Sequence, residues 1–460
     1  MDRSSAARPP RRDYQMPEFD VVVLGGGTAG TLVAKAAAAA GRSVAVVEAG
    51  LAGGESPYLA CIPSKSLLQS ARRGETWEHA VARRDEVTAH LDDSAVASRL
   101  AEAGVTLIRG TGRVGKPGAI EVSGGGQAVL GYSDLVIATG SEPVAPPAEG
   151  LTDVPAWTSA EALTCPDLPR RLIVLGAGPV GCELTQIYAS FGSQVTLVEA
   201  EDQVLPDEAP FAGEILADAL RRTGADLRLG SAVSKAEALG SGLALTLADG
   251  TRLEGDRVLL ATGRRPRLTG LGLEKLGIEL TAAGAVPVDA GCRVPAADGV
   301  WAAGDATGLG CYTHTARYQA RVVAANLLGG SRSADYRAIP RSVYTMPSVY
   351  SVGISPRHAS GLDLITVGQD LAETARAAVE DDERGRVELY AAAGRPDILV
   401  GAAAVGPYAE EWMGEITLAI RAAVPLGVLA DAVHAFPTYG EALETPLREL
   451  AGRDHGKDGR

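Results

Sequence analysis

Asp20-Val-Val-Val-Leu24 runs into Gly25-Gly26-Gly27-Thr28-Ala29-Gly30, then into an Ala-rich stretch and Ser43-Val-Ala-Val-Val47, closed by Glu48. The short apolar, β-branched run predicts a buried parallel strand. Gly25 permits a tight turn, Gly27 lets backbone approach a pyrophosphate, and Gly30 lets helix and strand pack closely. The helix N-terminus adds favourable charge for a phosphate. Glu48 is placed to accept hydrogen bonds from a ribose. A lone glycine turn would say little. Strand, turn, helix and terminal acid in this order predict a dinucleotide-binding unit.

The unit occurs twice. Leu172-Ile-Val-Leu175 leads into Gly176-Ala-Gly178-Pro-Val-Gly181, then Gln194-Val-Thr-Leu-Val198 and Glu199. Both copies place the acid 23 residues after the first glycine. Each is later followed by a strand ending in Ala-Thr-Gly, at Gly140 and at Gly263. Two nucleotide sites of one design imply that electrons pass between two nucleotide cofactors.

The composition narrows the partners. The chain has 460 residues, room for about three domains, and a net charge of -14 with no long basic stripe, which argues against nucleic acid. No apolar run reaches the roughly 18 residues of a membrane span. Residues 1–18 are polar and basic, include Arg8-Pro-Pro-Arg-Arg12, and read as a disordered tail rather than an export signal. Five scattered cysteines (61, 165, 182, 292 and 311) suit a reducing cytoplasm.

Ser56-Pro-Tyr-Leu-Ala-Cys61-Ile-Pro-Ser-Lys65 then follows the first unit. It resembles the active-site helix of the class I pyridine nucleotide-disulfide oxidoreductases, the lipoamide dehydrogenase and mercuric reductase family, which carry Cys-x4-Cys-[IV]-Pro-Ser-Lys there. The resemblance extends through Gly299-Val-Trp-Ala-Ala-Gly304-Asp305-Ala306, Tyr344 to Gly353, Gly406 to Glu411 and Leu429 to Thr438, nearly the whole chain. It implies an α/β fold of two Rossmann-like dinucleotide-binding domains plus a C-terminal α+β dimerisation domain. The expected division is a FAD-binding domain over 19–150 and 280–335, a NAD-binding domain over 151–279 and a dimerisation domain over 336–460. It further implies a homodimer. FAD is expected on Gly25, Gly27, Gly30, Glu48, Lys65, Gly140, Gly304 and Asp305, with Asp305 toward the ribityl chain. The nicotinamide cofactor is expected on Gly176, Gly178, Gly181, Glu199 and Gly263. Glu199-Ala-Glu-Asp202 contains no arginine for a 2′-phosphate, which favours NADH.

Two departures from the family pattern bear on the chemistry. The family's first cysteine is Ser56, and a serine hydroxyl forms no disulfide. The family's His-Ala-His-Pro-Thr-x-x-Glu reads His434-Ala-Phe436-Pro-Thr-Tyr-Gly-Glu441, so the acid–base imidazole is Phe436 and Glu441 has none to orient. His434 matches the non-catalytic histidine. Lys65 and Glu183 match the pair beside the nicotinamide, preserving the hydride path. Cys61 reads either as a redox thiol against the flavin or as a relic small residue packed beneath it.

With both groups lost, the expectation is an NADH-dependent FAD enzyme that is not a disulfide reductase. Its acceptor would be planar and conjugated, a quinone or aromatic metabolite, in a cleft lined by Phe436, Tyr58, Tyr312 and Tyr439. A flavin oxidase or dehydrogenase tailoring a small metabolite, and a non-catalytic flavin-bearing binding protein, stand as alternatives.

Overall fold

The computed structural model describes residues 17–124, 128–382 and 384–454. The expected tail, 1–18, lies outside them except for Pro17 and Glu18, and Glu18 already opens the first strand. That strand, Glu18–Leu24, is the centre of a seven-stranded sheet. Val44–Glu48 and then Val105–Arg109 pair parallel on one side of it; Ala128–Ile137 and Val300–Ala302 do so on the other. Val21, Val22 and Val23 are fully buried, as a strand covered on both faces requires. Each such side chain contributes about 1.5–3 kcal/mol. Val300–Ala302 comes from far along the chain, so residues around 300 complete the first sheet.

The second copy builds a parallel sheet in the order Asp226–Arg228, Gln194–Val198, Arg171–Leu175, Arg257–Leu260, Ala156–Trp157. An antiparallel three-stranded sheet, Val233–Leu239, Gly242–Leu247 and Arg252–Gly255, attaches to it. A ribbon of Ser141–Pro143 against Arg264–Pro266 ties the two copies together. Residues from 341 to 406 form an antiparallel five-stranded sheet covered by the helices Gly414–Ala422 and Glu444–Asp454. This is the α/β fold with two dinucleotide-binding units and an α+β C-terminal unit that the sequence predicts.

Packing between units positions the site. The helix Cys61–Arg72 lies against Pro179–Ser190, the first helix of the second copy. Leu67, Leu68 and Trp77 share one core with Leu184, Ile187 and Tyr188. The buried Tyr188 hydroxyl donates to Ala162 O at 2.6 Å, which satisfies its polar end. Gln186 and Met346 exchange two hydrogen bonds, and Arg72 Nη2 donates to the carbonyls of Tyr344 and Thr345, docking the C-terminal unit on both helices.

Candidate active site

The two glycine turns are built alike. A Cβ on Gly30 would stand 1.9 Å from Gly25 O, and one on Gly181 would stand 1.8 Å from Gly176 O. Only glycine lets either helix approach its strand so closely. The helices Thr28–Ala39 and Pro179–Ser190 begin at Gly27 and Gly178, with no side chain capping their free N–H groups. A Cβ on Gly178 would meet nothing within 4 Å, and one on Gly27 would meet only Gly54 Cα, at 3.8 Å. Uncapped amides in front of open space are the donors a pyrophosphate takes. The buried Thr139 hydroxyl, beside Gly140, has no partner among the described residues, although buried hydroxyls are normally paired. Both cradles therefore fit dinucleotides. Gly30→Ala is expected to weaken FAD retention at least about tenfold, read as the flavin-to-protein absorbance ratio after gel filtration; full retention would show that the turn relaxes around a methyl group.

The terminal acids each secure their own turn. Glu48 accepts from Gly26 N at 2.5 Å and Gly50 N at 2.6 Å, and Glu199 accepts from Ala177 N at 2.6 Å and Glu201 N at 3.0 Å. Each carboxylate oxygen keeps a lone pair for a ribose. Gly304 opens a short 3-10 turn and donates from its amide to Gln319 Oε1 at 2.6 Å. Asp305 accepts from Ser141 Oγ at 2.6 Å, and Arg264 Nε donates to that same hydroxyl at 2.7 Å. Arg264 also pairs with Glu55 at 2.6 Å, next to Ser56, and Arg267 joins at 2.9 Å. Gly263 takes φ +111° at the end of its strand and aims the chain into this cluster. Arg264 was not among the sequence candidates; its position directly after Ala-Thr-Gly263 is the only sequence signal for it.

Lys65 and Glu183 meet. Lys65 Nζ lies 2.8 and 3.0 Å from the two oxygens of Glu183, which is buried and also accepts from Tyr344 N at 3.0 Å. The ammonium stands 4.4 Å from the centre of the Tyr344 ring. Burial pushes the Tyr344 phenol above its ordinary value, and Lys65 opposes that shift. Ser56 and Cys61 lie on two helices: Ser56 in the short helix Glu55–Tyr58, Cys61 at the head of Cys61–Arg72. Thr313 spans the break, its Oγ 3.5 Å from Cys61 Sγ and donating to Ser56 Oγ at 3.1 Å. Thr313 was also missed, because nothing local marks it.

Phe436 is not part of this cluster within one chain: it is 76% exposed on the C-terminal unit. Glu441 is engaged elsewhere, accepting from Thr438 N at 3.0 Å as the capping acid of the turn Tyr439–Leu443. His434 pairs with Glu415 at 3.1 Å and Glu444 at 3.4 Å, a structural placement. The expected aromatic cleft is not formed by its tyrosines. Tyr58 is buried in the surroundings of Asp93, Tyr439 belongs to the C-terminal core with Ile416 and Leu443, and Tyr312 stacks on His314. Each ring is buried or stacked where its own segment packs, so the three do not line one surface.

The other thiols are set apart from Cys61. Cys182 is fully buried with its Sγ on Ala177 O at 3.2 Å, and burial pushes its thiol far up. Burial likewise raises Cys292 and Cys311 to about 11. None of the five cysteines is in a disulfide, and no group of metal-ligating side chains gathers among the described residues.

Residues 19–325 match the family model described as pyridine nucleotide-disulphide oxidoreductase, and 339–447 match its dimerisation domain. A dihydrolipoyl dehydrogenase of Chlamydia muridarum is 31% identical over 93% of this chain and 98% of its own length. A mercuric reductase of Acidithiobacillus ferrooxidans is 31% identical over 93% of this chain and 82% of its own. Among solved structures, the HOCl-induced flavoprotein disulfide reductase RclA from Escherichia coli superposes with a TM-score of 0.86 at 29% identity, covering 94% of this chain and 99% of that one. FAD and NAD(H) are the cofactors, as the sequence predicts, and the dimerisation domain makes the chain a homodimer. Among the described residues no helix is long and apolar enough to cross a membrane.

These relatives overturn one expectation. The acceptor was expected to be a quinone or aromatic metabolite and the enzyme not to be a disulfide reductase; the relatives across nearly the whole chain are named as dihydrolipoyl dehydrogenases, mercuric reductases and a disulfide reductase. The inference from Ser56 and Phe436 went too far. Their loss removes one thiol and one imidazole, but Cys61 remains at the site, and a single thiol is enough to open a disulfide. Within one chain, moreover, the three tyrosines share no common cleft.

Proposed function

We propose, since this chain belongs to the pyridine nucleotide-disulphide oxidoreductase family, that it is an NADH-dependent reductase of small disulfides that works through one thiol, Cys61. The observation that carries this reading is the placement of Cys61: half-buried at the head of a helix, in contact with Thr313, one helical turn from the Lys65–Glu183 pair. The first N–H groups of a helix favour negative charge at that position.

The Cys61 sulfur, giving up its proton, attacks one sulfur of the substrate, R–S–S–R. Its S–S bond breaks, leaving Cys61–S–S–R and releasing RS⁻. Two electrons that originate in NADH then cleave the mixed disulfide, restoring the Cys61 thiolate and releasing the second thiolate. The two products are RSH after protonation. FAD, when bound in the first cradle, would supply the redox chemistry that links NADH oxidation to disulfide reduction. Gly25, Gly27 and Gly30 would admit its pyrophosphate, Glu48 would hold its ribose, and Gly140, Gly304 and Asp305 would complete its site. Gly176, Gly178, Gly181, Glu199 and Gly263 would hold NADH, and Lys65 with Glu183 would orient the nicotinamide. Phe436 has no proton to give, so the mechanism requires none from that position. A reducing cytoplasm suits a chain with five unpaired cysteines.

The test is NADH oxidation with glutathione disulfide, lipoamide, coenzyme A disulfide and cystine, with acid-quenched samples digested for mass spectrometry. At least one substrate is expected to turn over and leave its thiol half on the Cys61 peptide. No turnover with any of them, and no adduct, would sink the reading. NADH is expected to exceed NADPH in kcat/KM by at least about tenfold, roughly 1.4 kcal/mol, because Glu199 repels a 2′-phosphate. Equal efficiencies would show that Glu199 does not meet the ribose.

A further inference from the structure

We propose that Ser56 and Thr313 form a hydroxyl relay that carries the Cys61 proton outward to the leaving sulfur, in the place of the missing imidazole. The proposal rests on the one-thiol reading above and extends it to the origin of the proton. Ser56 thereby becomes a working group instead of the remnant of a lost cysteine.

The hydrogen bonds run in one line. Thr313 Oγ donates to Ser56 Oγ at 3.1 Å, and Cys61 Sγ lies 3.5 Å from Thr313 Oγ. A hydroxyl has one proton to donate. Either Cys61 or Thr313 can donate in the second bond, so the line can take a proton from the sulfur and can equally turn its hydroxyls toward the sulfur once that proton has left. As the sulfur attacks, its proton passes to Thr313 Oγ, the Thr313 proton passes to Ser56 Oγ, and the Ser56 proton passes to RS⁻, which leaves as RSH. The line then points inward, with Ser56 donating to Thr313 and Thr313 to the sulfur, ready for the thiolate that the electron pair restores. Within this step no proton is created or lost; the second RS⁻ and the restored Cys61 thiolate take their protons from solvent, which closes the cycle.

The relay is held still by groups outside it. Thr313 is the first residue of the helix Thr313–Leu327. The preceding strap is pinned by the buried Gln319, which accepts from Gly304 N and donates to Thr307 Oγ at 3.0 Å and to the Tyr336 hydroxyl at 3.0 Å. On the other side, Glu55, beside Ser56, is fixed by Arg264 and Arg267. The charged and titratable groups around Cys61 are Lys65 on its own helix, Glu183 from the helix opposite, and Tyr344 from the C-terminal unit, with Glu410 in reach of Tyr344. Tyr312, whose phenol burial raises, and His314 flank Thr313 in sequence, with Cys311 one residue beyond Tyr312. Lys65 and Glu183 neutralise one another, burial keeps Tyr344 and Cys311 protonated, and His314 is turned to Pro340 O through Nε2 at 2.8 Å and stacked on Tyr312, so its ring is engaged away from the Cys61 sulfur.

The experiment is alkylation of Cys61 by iodoacetamide in the FAD-loaded dimer, followed by mass spectrometry of the Cys61 peptide from about pH 6 to pH 9. Thr313→Val is nearly isosteric and breaks the line; Ser56→Ala removes its far end. Each is expected to slow alkylation near neutral pH about tenfold and to move the profile to higher pH, with Thr313→Ser restoring the rate within about twofold. A purely structural role would not be rescued by serine and would not move the profile. Wild-type profiles for both Thr313→Val and Ser56→Ala would overturn the relay. Should Thr313→Val fail to fold, Ser56→Ala decides alone. If the profiles shift as expected while no disulfide is turned over, the relay stands and the one-thiol function falls; the converse result separates them the other way.

Discussion

Cys61→Ser is expected to lower NADH-driven turnover of a small disulfide by at least about 1000-fold, while NADH still bleaches the bound flavin within about tenfold of the wild-type rate. Among the described residues no second thiol stands in contact with the Ser56–Thr313 line. Ser56 has no thiol, and Cys182 is fully buried on Ala177 O with its proton held by burial. Cys292 and Cys311 are raised to about 11, leaving little thiolate near neutral pH. Oxygen for sulfur at 61 removes the one thiol that, among the described residues, is in contact with the Ser56–Thr313 line. The reductive half needs Lys65, Glu183 and the two nucleotide cradles, none of which takes a hydrogen bond from Cys61. Stopped-flow absorbance separates the halves. If Cys61→Ser kept its disulfide turnover, another group would be attacking the substrate; if flavin bleaching collapsed instead, the thiol would belong to the hydride path.

Lys65→Met is the second large effect. It is expected to slow flavin reduction by NADH at least about 100-fold and to destabilise the chain by about 2 kcal/mol. Glu183 is 6% exposed, and the side chain of Lys65 is 31% exposed. Removing the ammonium leaves a buried carboxylate with only Tyr344 N to stabilise it. Breaking a buried pair costs more than the pair contributes, because the remaining charge is uncompensated. The partial exposure of Lys65 keeps the cost near the low end. Adding Glu183→Gln removes that charge while keeping an acceptor for Tyr344 N. The double variant should therefore regain most of the stability, read by chemical denaturation, without regaining the rate. Recovery of both would reduce Lys65 to a structural counter-ion.

Much of the site was legible because its signals are local. Gly25, Gly30, Gly176 and Gly181 are demanded by close approaches within a few residues, and the acids Glu48 and Glu199 return to their own turns at a fixed spacing. The Lys65–Glu183 contact followed from matching two segments to one family pattern, since their packing depends on a shared core that runs through Leu67, Leu184 and Tyr188. Glu441 misled: the acid kept its place in the pattern, but it serves as a helix cap, a role that its neighbour Thr438 three residues earlier had already signalled. The tyrosines misled for another reason. Proximity along the chain says nothing about which way a ring packs, and Tyr58, Tyr312 and Tyr439 each turn into separate surroundings.

From the sequence by itself came the two dinucleotide units, the third C-terminal unit, both cofactors and the two substitutions at 56 and 436. The two dinucleotide units rest on turn chemistry and motif spacing written within a few tens of residues, whereas the C-terminal unit, the two cofactors and the two substitutions rest on resemblance to the family pattern. Only the tertiary structure decided that Ser56 and Cys61 are joined through Thr313, more than 250 residues away, and that Arg264 clamps Glu55 and Ser141. Those contacts form where the strand Val300–Ala302 rejoins the first sheet and where the ribbon Ser141–Pro143 meets Arg264–Pro266. Such pairings are set by the burial of whole sheets and helices, and a hydroxyl at their meeting point leaves no trace in its own neighbours along the chain.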